Sequence, residues 1–240
     1  MTTAVRVNAG PSLNRITMTA VAEPHHEGQH PKLQHHFYSM KQQTSSGKLG
    51  MWLFMGNEFL FFSGIFAAYI FLRWSYPEMW LESSYHLDWV LGTFNTVVLL
   101  LSSLTMALGV RAAQLGNNKG VLINVGITLL CALIFLVVKF FEYKAKFEHG
   151  TLPAHFWSAS EMGVPGQPGP WIFFGFYFFV TGIHAIHILI GVGLLLWVLA
   201  RAKRNEFDSE HYVLAENVGL YWHFVDIVWI FVFPLFYLVA

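Results

Sequence analysis

Residues 171–200 read WIFFGFYFFVTGIHAIHILIGVGLLLWVLA. A helix needs ~20 consecutive, mostly apolar residues to cross the hydrocarbon core of a bilayer, and this run exceeds that length. Four other runs meet the same requirement, at roughly 48–73, 89–114, 121–144 and 214–239. The expected fold is therefore all-α, a polytopic membrane bundle of five transmembrane helices. A tight polar turn from Leu115 to Gly120, centred on Gly116-Asn117-Asn118, joins the second and third spans. The longest loop carries Pro153, Pro165, Pro168 and Pro170 and joins the third to the fourth, while Ser75 to Asp88 links the first to the second. There is no internal repeat and no sign of a second globular domain.

Composition supports the same reading. Of the 240 residues 55% are hydrophobic and only 12% charged, against ~25% charged in an average soluble domain. So few charged groups cannot coat a soluble surface, and lipid must solvate much of the chain. The net charge is zero and there is no long basic run, which leaves nucleic-acid binding unsupported. The single cysteine, Cys131, can form no intrachain disulfide. Residues 1–46 differ from the rest: they form a polar stretch with five of the twelve histidines, His25, His26, His30, His35 and His36. No apolar core follows a basic start, so a cleavable signal peptide is not expected. A solvated extramembrane tail is favoured over a metal-binding tract, and residues 47–240 form the membrane domain.

Lys and Arg are retained on the inner side of a membrane. With the N-terminus inside, the inner segments hold Arg6, Arg15, Lys32, Lys41, Lys48, Arg111, Lys119, Arg201, Lys203 and Arg204. The outer ends hold only Arg73, Lys139, Lys144 and Lys146. Five spans then place the C-terminus outside. Trp52, Trp74, Trp89, Trp171 and Trp197 fall near the expected helix ends, where amphipathic rings favour the interface.

The spans carry ionisable groups at depth, and a charge at the bilayer centre costs ~2.5–3.5 kcal/mol on insertion scales. Glu58 lies near the middle of the first span, with Phe54 four positions earlier on the same face. Leaving water penalises the charged carboxyl, so it is expected to be protonated or hydrogen-bonded, as a proton or lipid site or as a structural bond to a neighbouring helix. In the fourth span His184, His187 and Gly191 line one face at i, i+3 and i+7. Metal or haem ligation there is disfavoured, because zinc needs three or four ligands and no such set stands out. In the fifth span Glu216, Gly219, His223 and Asp226 fall at i, i+3, i+7 and i+10 and share a face that must point at protein. A buried helix-to-helix hydrogen-bond network is favoured over direct chemistry. Lys139 and Glu142, at i and i+3, read as a local ion pair, and Asn95, Ser102 and Gly109 as a small-residue packing stripe. No phosphate-binding loop, cofactor fingerprint or nucleophile beside a base is visible, and the midplane Gly/Pro breaks of transporters are missing. Polar faces without an assembled active site point to a subunit of a larger complex.

Four ordered stretches carry a family resemblance: Gly50-Met51-Trp52-Leu53-Phe54-Met55-Gly56-Asn57-Glu58 with Phe61-Phe62-Ser63-Gly64; Phe141-Glu142-Tyr143; Thr181 to Gly191; and Glu216 to Trp229. On these the sequence resembles subunit III of the haem-copper terminal oxidases, in the shorter five-span bacterial form rather than the seven-span form. The resemblance implies a non-catalytic subunit in the bacterial plasma membrane. It would bind no haem or copper of its own and would pack on subunit I, which carries those groups, in a complex with subunit II. It implies bound phospholipid in a cleft, support for proton uptake, and protection from inactivation during turnover. It further implies that Glu58 is the family's carbodiimide-reactive carboxyl, that His184 is its partner, and that Phe54, Arg201, Arg204 and His211 contact lipid. Alternatives are a quinol-oxidase or nitric-oxide-reductase-associated homologue, a redox protein using His184, His187 and His223, or a proton channel built on Glu58 and Asp226.

Overall fold

The computed structural model describes residues 34–148, 169–209 and 211–238. The tail histidines His25, His26 and His30, the basic residues Arg6, Arg15 and Lys32, and the loop prolines Pro153, Pro165 and Pro168 lie outside the described residues. The described chain is helical throughout its regular structure: α1 Met40–Ser75, α2 Pro77–Ser84, α3 Trp89–Gln114, α4 Asn118–Glu148, α5 Trp171–Lys203 and α6 Val213–Tyr237. All but α2 are long and apolar enough to cross a membrane, which gives the five spans expected from sequence.

Local signals explain the helix ends. Ser39 caps α1, its hydroxyl accepting from the Gln42 amide at 3.2 Å, so the helix begins eight residues ahead of the expected position 48 and takes in part of the polar tail. Asp88 caps α3 by accepting from the amides of Val90 and Leu91 at 2.9 and 3.2 Å. Gly116 sits at φ +68°, a left-handed conformation that a β-carbon disfavours. The Asn117 side chain then accepts from the Gly120 amide at 3.0 Å to start α4. The short helix α2 was not expected. Pro77 occupies its first turn, where the missing N–H costs nothing, and Met79 and Trp80 are buried beneath it.

Consecutive long helices run antiparallel. The start of α1, the α3–α4 turn and the α5–α6 loop share one end of the bundle, here the Met40 end; the opposite end is the Tyr237 end. α3 packs on α4 and α6, α5 on α4 and α6, and α1 mainly on α6. α6 is thus the central helix, and Trp222, Trp229, Val232 and Phe236 on it are fully buried. The expected stripe on α3 is buried: Asn95 and Ser102 are inaccessible, and a β-carbon at Gly109 would lie 2.9 Å from Val125 of α4. Outward-facing residues of α1 such as Phe59, Leu60, Ile70 and Phe71 form an exposed apolar surface suited to lipid.

α5 and α6 approach closely at Gly191, where a β-carbon would lie 2.7 Å from the Trp222 ring. That ring is fixed by its N–H, which donates to the Ser102 hydroxyl at 3.1 Å, so it cannot simply swing away. Gly191→Val is expected to lower stability by about 1–3 kcal/mol through overpacking, measured by unfolding in mixed detergent micelles; an unchanged midpoint would contradict the close contact.

Candidate functional site

Glu58 on α1 and His187 on α5 face each other, with Oε2 and Nε2 3.2 Å apart and both side chains mostly buried. The other ring nitrogen, Nδ1, lies 2.8 Å from the backbone oxygen of Ile183. A carbonyl only accepts, so Nδ1 carries a hydrogen. The Nε2–Oε2 contact then holds one proton, either on the carboxyl as a neutral pair or on the ring as an ion pair. Tyr221 of α6 donates to the His187 backbone oxygen at 2.9 Å, and its ring lies 6.0 Å from that of Phe54. Phe62 packs its ring 5.2 Å from that of His187. The result is a proton-sharing pair held between aromatic rings on the least buried helix of the bundle.

This corrects the expectation that His184 partners Glu58. The two histidines differ by about 60° in direction around α5, and of them His187 is the one bonded to α1. His184 turns the other way: its ring is 5.6 Å from Phe135 on α4 and 5.2 Å from Trp229 on α6. It is 1% exposed, and neither ring nitrogen has a hydrogen-bond partner among the described residues.

The stripe on α6 does face protein: His223 and Asp226 share partners on α3, while Glu216 bonds elsewhere. Glu216 accepts from Lys48 Nζ at 3.0 Å and so ties α6 to α1 near the Met40 end. His223 Nδ1 lies 2.7 Å from the Ser103 hydroxyl on α3. Asp226, 2% exposed, meets the neighbouring Ser102 hydroxyl only at 3.5 Å. His223 therefore takes its partner from α3 rather than from Asp226. The adjacent hydroxyls of Ser102 and Ser103 both reach Asp226, and Ser103 also meets His223.

At the Met40 end, Arg201 Nε donates to Glu206 at 2.5 Å, Arg204 lies 3.8 Å from the same carboxyl, and His211 Nδ1 lies 3.0 Å from Asp208. Arg201 and His211 also line a cavity of about 600 Å³ together with Gln34, His36 and Trp197. Among the described residues no three His, Cys, Asp or Glu side chains gather as a metal site. His184, His187 and His223 each face a different set of neighbours.

The expected local Lys139–Glu142 ion pair is present at 2.9 Å within α4, and it is part of a larger buried cluster. Both residues are buried, and Tyr177 of α5 and Tyr237 of α6 close around them. These tyrosines, Trp229 as an aromatic wall, and Ser103 went unrecognised in the sequence, and Ser102 was read for packing rather than for hydrogen bonding. One signal was available for Tyr177, since a phenol at depth in an apolar span needs a hydrogen-bond partner.

Comparison with known proteins identifies the family. The family model for cytochrome c oxidase subunit III matches residues 170–240. The chain is 33% identical over 194 residues to cytochrome c oxidase subunit 3 of Corynebacterium diphtheriae, spanning 80% of this chain and 87% of that one. It is 32% identical over 190 residues to cytochrome c oxidase subunit 3 of Synechocystis sp., spanning 79% and 74%. A longer protein of Aeropyrum pernix, heme-copper oxidase subunit I+III, is 31% identical over 196 residues, which are 79% of this chain and 22% of that protein. With this coverage and identity, and with five helices able to span a membrane, the chain belongs to the cytochrome c oxidase subunit III family and is a multi-pass membrane protein.

Proposed function

We propose that the chain is a non-catalytic subunit of a respiratory cytochrome c oxidase, seated on the subunit I that holds the haems and copper, alongside subunit II. The observation that carries this reading is the Glu58–His187 pair, a proton-sharing site on the least covered helix, where a partner subunit or a lipid would complete its surroundings. The natural fusion of subunits I and III in the Aeropyrum pernix protein supports direct contact between such chains. On this reading the pair supports proton uptake by the neighbouring subunit, and phospholipid fills the side of α1 around Phe54. Arg201, Arg204 and His211 then lie at the lipid headgroup level, where basic side chains attract anionic lipid. The basic bias of the loops orients the N-terminus to the inner side of a bacterial plasma membrane.

Affinity purification through this chain should bring down a haem-copper subunit I, with subunit II carrying copper ligands. A quinol-oxidizing complex would lack those ligands. Releasing the chain should leave oxygen reduction running but shorten its lifetime under turnover. Stoichiometric haem or copper on the released chain would overturn the reading. Glu58→Gln is expected to fold and assemble, with stability within about 1 kcal/mol of the parent, because the amide N–H can still donate to His187 Nε2. Its shared proton is gone, however, so proton uptake during turnover should slow. Unchanged uptake in an intact complex would remove the pair from the proton route.

A further inference from the structure

The Lys139 cluster sits near the Tyr237 end, well apart from the Glu58–His187 pair, and the proposed role above makes no use of it. Four polar groups from three helices meet there. Lys139 Nζ donates to Glu142 Oε2 at 2.9 Å, to the Tyr177 oxygen at 3.2 Å and to the Tyr237 oxygen at 2.7 Å. Glu142 Oε1 lies 2.8 Å from the Tyr177 oxygen and 2.5 Å from the Tyr237 oxygen, and the two phenol oxygens are 2.7 Å apart. Every pair among the four groups is therefore at hydrogen-bond distance.

Counting hydrogens shows what this closure requires. An ammonium has three donors, each phenol one, and a carboxylate none. Lys139 spends its three on Glu142 and the two phenols. The triangle of Glu142 Oε1, Tyr177 and Tyr237 has three short edges but only the two phenol hydrogens to fill them. With an ionised Glu142, whichever way the phenols turn, one edge sets two lone-pair oxygens face to face. One added proton removes the conflict: Glu142 donates to Tyr177, Tyr177 to Tyr237, and Tyr237 back to Glu142, while Lys139 keeps its three bonds.

The surroundings suit the extra positive charge. Lys139 Nζ lies 4.6 Å from the Trp229 ring centre, 5.2 Å from that of Tyr237 and 5.4 Å from that of Tyr177, and aromatic faces attract cations most strongly where water is excluded. Other titratable groups near the cluster are Tyr143 and Lys146 on α4, His184 on α5, and Asp88 at the start of α3. Tyr143 is bonded to Thr181, Lys146 donates to the His86 backbone oxygen, and His184 packs on Trp229. The ammonium charges of Lys139, bonded to Glu142 at 2.9 Å, and of Lys146 oppose uptake; the missing hydrogen in the ring favours it, and the three ring faces hold the Lys139 charge once Glu142 is neutral.

We propose that Lys139, Glu142, Tyr177 and Tyr237 form a proton-binding site that takes up one proton from water into the Glu142–Tyr177–Tyr237 ring. The proton passes from hydronium to Glu142, leaving water and a neutral carboxylic acid, and no other bond is made or broken. The site rests on the geometry of this chain alone, whatever complex it joins.

Infrared difference spectroscopy of the full chain, purified in its native assembly, tests this. Lowering the pH should produce the carbonyl stretch of a protonated carboxyl, and Glu142→Gln should abolish it. Tyr237→Phe keeps the ion pair but opens the ring, so two oxygens share one edge and one phenol hydrogen, and this variant should lose the band as well. If Glu142→Gln does not fold, Tyr177→Phe and Tyr237→Phe carry the test, since each removes a single oxygen. The proposal is overturned if the parent shows no pH-dependent carboxyl band, if the band survives Glu142→Gln, if it survives both tyrosine changes, or if it is present but constant with pH.

Discussion

Lys139→Met is expected to destabilise the bundle by about 3 kcal/mol, because removing one member of a buried ion pair strands the other. Lys139 and Glu142 are 5% and 3% exposed, so water cannot compensate the carboxylate left behind. The two phenols still donate to it, but its cationic partner at 2.9 Å is gone. Glu142→Gln should cost less. The amide oxygen still accepts from Lys139, and the ammonium keeps two phenol acceptors and three ring faces. The double variant Lys139→Met with Glu142→Gln should recover much of the loss, since no uncompensated charge remains. Unfolding in mixed micelles, followed by circular dichroism, gives all three values. If Lys139→Met and Glu142→Gln prove equally mild and additive, the pair is solvated and the buried cluster is wrong.

The spans were legible because the bilayer allows few solutions. A spanning segment must satisfy its own backbone, so a long apolar run reads as a helix almost regardless of detail. The bounds of α3 came out at the expected 89–114, where Asp88 before the run and Gly116 after it mark both ends. α2 was missed because eight residues leave too short a run to show a period, although Pro77 and the buried Met79-Trp80 pair carried the signal. The polar residues were legible as a set, since any ionisable group at depth stands out. Their pairing was not. Spacing along one helix fixes relative direction but leaves the rotation of each helix against its neighbours undetermined, so it could not check the partner His184 that the family resemblance implied, and the structure pairs Glu58 with His187. The same limit hid the Lys139 cluster: its i, i+3 half lies within α4, while Tyr177 and Tyr237 arrive from α5 and α6, 38 and 98 residues away along the chain.

Trp229→Ala should cost about 3 kcal/mol, and the reason differs from that in a soluble core. Separated helices in a bilayer keep the indole in hydrocarbon, so little transfer free energy is at stake. What is lost is packing: the ring is fully buried, 4.9 Å from Phe135, 5.2 Å from His184 and beneath the Lys139 ammonium at 4.6 Å. The lost hydrogen bond contributes little. Trp229 donates to the Thr96 hydroxyl at 3.1 Å, but that hydroxyl keeps its own bond to the Gly92 oxygen at 2.8 Å. Trp229→Phe should accordingly recover most of the stability, since a ring still fills the space. The ammonium contact adds a sharper test. Residues in contact depart from additivity by about 0.5–3 kcal/mol, so Trp229→Ala and Lys139→Met combined should cost less than their sum, because each removes part of what the other needs. Trp222→Ala lies two helical turns away and bonds to Ser102 instead, so its effect should add to that of Lys139→Met. Equal additivity for both tryptophans would mean that the Trp229 face does not hold the Lys139 charge.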